Sequence, residues 1–224
     1  MSGASDVRFA VENAGEVSAL FVRPPQAQCL LVLAHGAGAG MRHPFLETLA
    51  RELATAGVAT FRYQFPYMEQ RRRVPDGPAL LTATVRAAVR TAAEAAPELP
   101  LLAGGKSMGG RMTSQAAAEQ PLEGVRGLVF FGFPLHPPGR PGTKRADHLT
   151  RVSVPMLFLQ GTRDQFADLN LLRPICTKLG SQAMLHVVET ADHSFHVLKS
   201  SGRTDADVLR ELAQTTMTWE QRIG

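Results

Sequence analysis

The chain has 224 residues, 44% of them apolar, with a formal net charge of +4 and a sequence pI of about 9.5. That length suits one domain, 1–224, with a sizeable core, and the apolar share excludes a disordered chain. The basic excess is mild and scattered, with one tight run at Arg71, Arg72 and Arg73, so it reads as solvated loop charge rather than a nucleic-acid surface.

The opening stretch, MSGASDVRFAVE, has no charged segment followed by an apolar one. No apolar run approaches the ~18 residues that a bilayer span needs. The expectation is a cytoplasmic protein with no membrane partner. Cys29 and Cys176 show no C-x-x-C or metal spacing, so buried, inert thiols are expected and no metal.

In chain order, residues 7–11 and 17–22 alternate apolar and polar side chains and predict an antiparallel pair around Asn13, Ala14 and Gly15. Residues 29–34 (CLLVLA) form a continuous apolar run, as a strand buried on both faces requires. A glycine-rich loop follows at 35–40. Pro44 then suits the first turn of a helix whose apolar stripe is Phe45, Leu46, Leu49, Leu53 and Ala54, stopped at Gly57. Residues 58–65 predict the next strand and 67–78 a loop. Residues 79–96 carry Leu81, Val85, Ala88, Val89 and Ala92 at helical spacing.

Residues 101–104 predict a short strand running into Lys106, Ser107 and Met108, with a helix to about Glu119. Strands follow at 125–133, 154–160 and 183–189, and helices at 169–179 and from about Thr204 to Trp219. Residues 134–150, rich in proline and glycine, predict a loop or short helix and are the best candidate for a small cap. About eight strands and six helices alternate along the chain. Such alternation predicts an α/β fold, a mostly parallel sheet with helices on both faces and no large lid.

The segment 104–110 (GGKSMGG) contains G-x-S-x-G at Gly105, Ser107 and Gly109, between a predicted strand and a predicted helix. In that context the serine sits on a sharp turn with its Oγ exposed at a helix N-terminus, where developing negative charge is favoured. Glycine is needed on either side because side chains there would collide. A serine hydroxyl is a weak nucleophile without a base. His193 follows the last strand and is the preferred base. His196, three residues on, is its rival, and His186 lies within the strand itself.

The base needs an acid to fix its tautomer. Asp164, just past the strand at 154–160, is the candidate. Asp168 reads better as a helix start, and Asp192 adjoins the histidine it would have to face. One oxyanion-hole amide is expected from Met108 and the second from Ala37 or Gly38, with Ala37 taken as the donor. The loop at 36–40 lacks G-x-x-x-x-G-K-[ST] and G-x-G-x-x-G spacing, so phosphate binding is not indicated. Arg62 or Tyr67 can lie by a substrate, though core packing and loop structure account for both. Residues 133–138 are expected as a pocket wall.

The strings HGAGAG (35–40), GGKSMGGRM (104–112), LQGTRD (159–164) and ADHSFHV (191–197) resemble the α/β-hydrolase superfamily, and the match runs from about Val17 to Trp219. They look like a compact, lid-poor branch related to dienelactone hydrolases. The resemblance implies hydrolysis of a small acyl ester through an acyl-enzyme, with no cofactor. Some eukaryotic relatives work as subunits of larger complexes, and the residues do not indicate an oligomeric state. Two departures stand out. Dienelactone hydrolases proper use cysteine where this chain has Ser107, and many esterases carry histidine where it has Lys106.

Overall fold

The computed structural model describes residues 3–223. It opens with the expected antiparallel hairpin of β1 (Ser5–Val11) and β2 (Gly15–Val22). Asn13 and Gly15 take positive φ in its turn, a backbone that these two residue types tolerate best. Then come β3 (Cys29–Ala34), α1 (Pro44–Thr55), β4 (Val58–Tyr63), α2 (Pro66–Glu69), α3 (Pro78–Ala95) and β5 (Leu101–Lys106). The chain continues with α4 (Met108–Glu119), β6 (Val125–Phe131), β7 (Met156–Gly161), α5 (Leu169–Leu179), β8 (Ala183–Val188) and α6 (Asp205–Ile223).

The eight strands form one sheet in the order β1-β2-β4-β3-β5-β6-β7-β8. β1 and β2 run antiparallel to their neighbours, and every pairing from β4 to β8 is parallel. The continuous apolar runs occupy the middle of this sheet, where both faces are covered. Leu31, Leu33, Val129 and Leu157 meet Leu49 and Leu53 of α1 and Leu212 and Trp219 of α6 on one face. Val32, Ala103, Phe130 and Phe158 meet Val85 of α3, Met112 of α4 and Leu172 of α5 on the other. This is the α/β-hydrolase fold, and no large lid covers the described residues.

Two strands end earlier than their apolar runs suggest, each for a local reason. β4 stops at Tyr63 because the Phe65 N–H donates to His35 Nε2, 3.1 Å away, instead of to a strand. β6 stops at Phe131 because Gly132 turns the chain at a φ of 71°. The expected loop from residue 67 begins with the short helix α2, four residues long and opened by Pro66. Four residues are too few to show a helical period in sequence.

Residues 134–150 do not cap the molecule. A 3₁₀ helix, Lys144–Arg151, packs on α4, with Ala146 and Leu149 buried and His148 Nε2 2.7 Å from Ser114 Oγ. Its two ends, Pro134 to His136 and Ala146 to Leu149, are anchored in the fold, and the stretch between them from Pro137 to Pro141 is exposed. Because the central strands are parallel, the loops after β3, β5, β7 and β8 all emerge at one edge, where α/β folds place their sites.

Candidate active site

β5 runs directly into α4 with one residue between them, Ser107, at φ 52° and ψ −119°. That backbone is strained for any residue with a side chain. Missing bulk around it makes it possible. A Cβ on Gly105 would stand 2.6 Å from the Ala34 carbonyl oxygen, and one on Gly109 2.6 Å from both the Ala34 and His35 oxygens. The tighter limit is therefore the end of β3, rather than contact between the two glycine positions themselves.

His193 stands in the loop after β8, its Nε2 2.9 Å from Ser107 Oγ. Its Nδ1 lies 2.7 Å from Asp164 Oδ2. Asp164 follows β7, and its side chain is fully buried. Oδ1 accepts the Phe166 N–H at 2.8 Å, and Oδ2 also accepts Gln160 Nε2 at 2.5 Å. With these donors fixed, Oδ2 is an acceptor, so His193 carries its proton on Nδ1 and turns the Nε2 lone pair toward the serine. The structure thus brings together Ser107, His193 and Asp164.

The rivals point elsewhere. His196 is exposed and pairs with Asp205 at 2.6 Å, a carboxylate that raises its pKa. His186 pairs with Glu211 at 2.5 Å. Asp192 Oδ1 accepts the backbone N–H groups of Ser194 and His196 at 2.8 and 3.0 Å, shaping the loop that carries His193. Asp168 caps α5 by accepting the Asn170 N–H at 2.8 Å.

Ala37 lines the same cleft as Ser107. The Gly38 N–H is already used, donating to Tyr67 Oη at 3.0 Å. The Ala37 and Met108 amides donate to no acceptor among the described residues. Behind this loop His35 is wholly buried, donating from Nδ1 to the Gly36 carbonyl at 2.7 Å and accepting the Phe65 N–H on Nε2. Burial pushes its pKa down to about 4, so it is a neutral strut between the ends of β3 and β4.

For Arg62, Tyr67 and the two cysteines the packing account holds, and the pocket wall expected at 133–138 is the correction. Tyr67 is fully buried and braces the Gly38 loop, so it does not face a substrate. Arg62 points to the opposite side, where it donates to the Met41 carbonyl and lines a separate cleft under α1. Residues 133–138 do not line the cleft beside Ser107. Phe133 is buried against Phe130 and Phe158, and His136 Nε2 accepts the Asp168 N–H, holding the loop that carries Phe166. Both cysteines are buried and free, with burial raising the Cys29 thiol to about 12 and the Cys176 thiol to about 11.

The cleft itself measures about 280 Å³. Its walls are His43, Phe45 and Leu46 of the α1 end, Lys106 beside Ser107, and Phe166, whose ring centroid lies 4.3 Å from that of His193. Sequence reasoning missed these wall residues. Phe45 and Leu46 read as core stripe, and only the first turn's overhang past the sheet edge turns them toward the cleft.

Lys106 is the least ordinary of them. Its Nζ is buried with no hydrogen-bond acceptor among the described residues. It sits 5.8 Å from the Phe45 ring centroid and 5.6 Å from that of Phe195, and those two rings stack on each other. Burial draws its pKa down to about 8, and the charges of Asp164 and Asp192 hold it up against that.

A strand–serine–helix elbow at the centre of a mostly parallel sheet, with an acid and a histidine on the next strand ends, defines the α/β-hydrolase class. A family model described as an alpha/beta hydrolase domain matches residues 27–221, and the chain belongs to that family. Its fold is similar to that of a dienelactone hydrolase from Anabaena variabilis, with 23% identity, a TM-score of 0.75, and 98% of this chain and 97% of that one covered. It is also similar to a lidless serine hydrolase from Xanthomonas campestris, at 20% identity and a TM-score of 0.76 over 98% of this chain and 96% of that one. An alpha-beta serine hydrolase homologue from Coxiella burnetii shares 20% identity and a TM-score of 0.76, with 96% and 98% covered. No helix among the described residues is long and apolar enough to cross a membrane.

Proposed function

We propose that this single-domain protein is a serine hydrolase that cleaves small carboxylic esters or related acyl compounds through an acyl-enzyme. The observation that carries the reading is the unbroken relay from Ser107 Oγ to His193 Nε2 at 2.9 Å and from His193 Nδ1 to Asp164 Oδ2 at 2.7 Å. Both distances are within the reach a general base needs.

In this reading Ser107 Oγ attacks the acyl carbon while its proton passes to His193 Nε2. Asp164 holds the resulting imidazolium. The carbonyl oxygen, now negative, takes hydrogen bonds from the Met108 and Ala37 amides, aided by the N-terminus of α4. Collapse of this intermediate breaks the acyl–oxygen bond, and His193 returns the proton to the departing alcohol. Water then attacks the acyl-serine, giving its proton to His193, and the second collapse frees the acid and restores Ser107. No cofactor enters these steps.

Substrate size follows from the cleft. A volume of about 280 Å³ falls at the small end of ligand sites, and Phe45, Leu46 and Phe166 make its walls apolar. Short acyl groups fit this space better than long lipid chains.

The test is fluorophosphonate labelling of wild type and Ser107→Ala, with hydrolysis of p-nitrophenyl acetate and butyrate. Labelling and turnover are expected in wild type and absent from the variant. A folded wild type that neither labels nor turns over overturns the reading and favours a binding protein built on the same fold.

A further inference from the structure

Lys106 stands outside the mechanism above, yet its charged end lies at the centre of the site. A methyl group on residue 132 would meet Lys106 Nζ at 3.0 Å, His193 Nδ1 at 3.3 Å and Asp164 Oδ2 at 3.4 Å. Those three atoms therefore border one small space. The stem of Lys106 runs along the cleft wall, and the stacked rings of Phe45 and Phe195 close over its ammonium.

Burying an amine without a hydrogen-bond acceptor is costly, and a methionine would fill the same space without that cost. What the lysine adds is charge. The groups facing it are Asp164 at the end of β7 and Asp192 and His193 in the loop after β8. α1 contributes a phenyl ring there, and its His43 stands on the cleft wall. Asp164 is thus shared by two cations in prospect, the Lys106 ammonium, present below about pH 8, and the imidazolium that forms only when the serine gives up its proton.

We propose that Lys106 is a positioning residue whose ammonium, clamped by Phe45 and Phe195, sets the electrostatic balance of the Asp164–His193 pair. This rests on the hydrolase reading above. The ammonium attracts the Asp164 carboxylate and opposes a second positive charge on His193. Even at an effective dielectric near 20, a full charge bordering the same small space is expected to move the acid limb of activity by about one pH unit. Because Lys106 also lines the cleft, the readout is the position of the acid limb and not the plateau rate.

The experiment compares kcat/KM against pH for wild type, Lys106→Met and Lys106→Arg with p-nitrophenyl butyrate, after circular dichroism shows each folded. The acid limb of Lys106→Met is expected about one unit higher than that of wild type, and that of Lys106→Arg at the wild-type position. Identical limbs in wild type and Lys106→Met overturn the proposal, as does an equal shift in both variants, which would mark a shape effect. Should Lys106→Met not fold, ε-¹³C-lysine NMR on wild type decides. Lys106 is recognised by the ring-current shift of its two aromatic neighbours, and its signal must step at the pH of the acid limb. No step overturns the proposal. A wild type that neither labels with fluorophosphonate nor hydrolyses ester is a failure of the hydrolase reading instead, and is seen before any Lys106 comparison.

Discussion

The ring of Phe166 lies across the imidazole of His193, with centroids 4.3 Å apart and planes inclined by 35°. The backbone N–H of the same phenylalanine donates to Asp164 Oδ1. One residue therefore orients the acid through its main chain and screens the base through its side chain. Phe166→Ala keeps the first contact and loses the second. A packed aromatic pair is worth about 0.5–1.5 kcal/mol, so Phe166→Ala is expected to melt a few degrees lower and, with His193 less firmly held, to lose about 3- to 10-fold in kcat/KM for p-nitrophenyl butyrate.

Asp164→Asn tests the tautomer. An amide NH₂ in place of Oδ2 would face two donors, Gln160 Nε2 and His193 Nδ1–H. Relief comes when His193 moves its proton to Nε2, which then cannot accept from Ser107. Steady-state kinetics are expected to show kcat lowered by about 10³- to 10⁴-fold in a folded protein. A loss under tenfold would mean that Asp164 does not orient the base.

Tyr67→Phe removes the acceptor of the Gly38 N–H. Gly38 is exposed, so water can take over part of this bond, and the loss is expected at about 0.5–1.5 kcal/mol, measurable as a lower urea midpoint. The loop that carries the Ala37 amide loosens at the same time, so kcat is expected to fall more than KM rises. Unchanged kinetics would separate this loop from the oxyanion site.

Acid stability has a definite sign. His35 and His148 are both pushed down from 6.5 to about 4, mainly by burial. Between those values the unfolded chain binds protons that the folded chain refuses, so stability is lost as pH falls from 6.5 toward 4 and is level above 6.5 with respect to these groups. At about pH 5 the loss is roughly 2 kcal/mol per histidine. Urea unfolding of His148→Gln at about pH 7 and pH 5 should show a smaller drop than wild type. An equal drop would remove His148 from the account.

Much of this was legible in the sequence because the central strands are apolar from end to end. β3 and α5 were read with their observed limits, and the G-x-S-x-G turn fell between the strand and helix it needs. The relay residues were found because each follows a strand that points to one edge. What escaped depended on distant partners. Nothing near Tyr67 announces that its hydroxyl reaches Gly38, and nothing near Phe166 announces that its ring covers His193. Lys106 read as a departure from a familiar pattern, and its meaning lay in two rings far along the chain, Phe45 and Phe195.

The order of strands carries one more consequence. Ser107 hangs from β5, which is hydrogen-bonded on both sides, whereas His193 follows β8, which has β7 as its one strand neighbour. Most of β8 is only half-buried, while β5 is buried almost throughout. Partial openings of a native protein begin where such bracing is thinnest. On warming, the loop that carries His193 is therefore expected to loosen while Ser107 is still held, so the contact between them parts before the sheet melts.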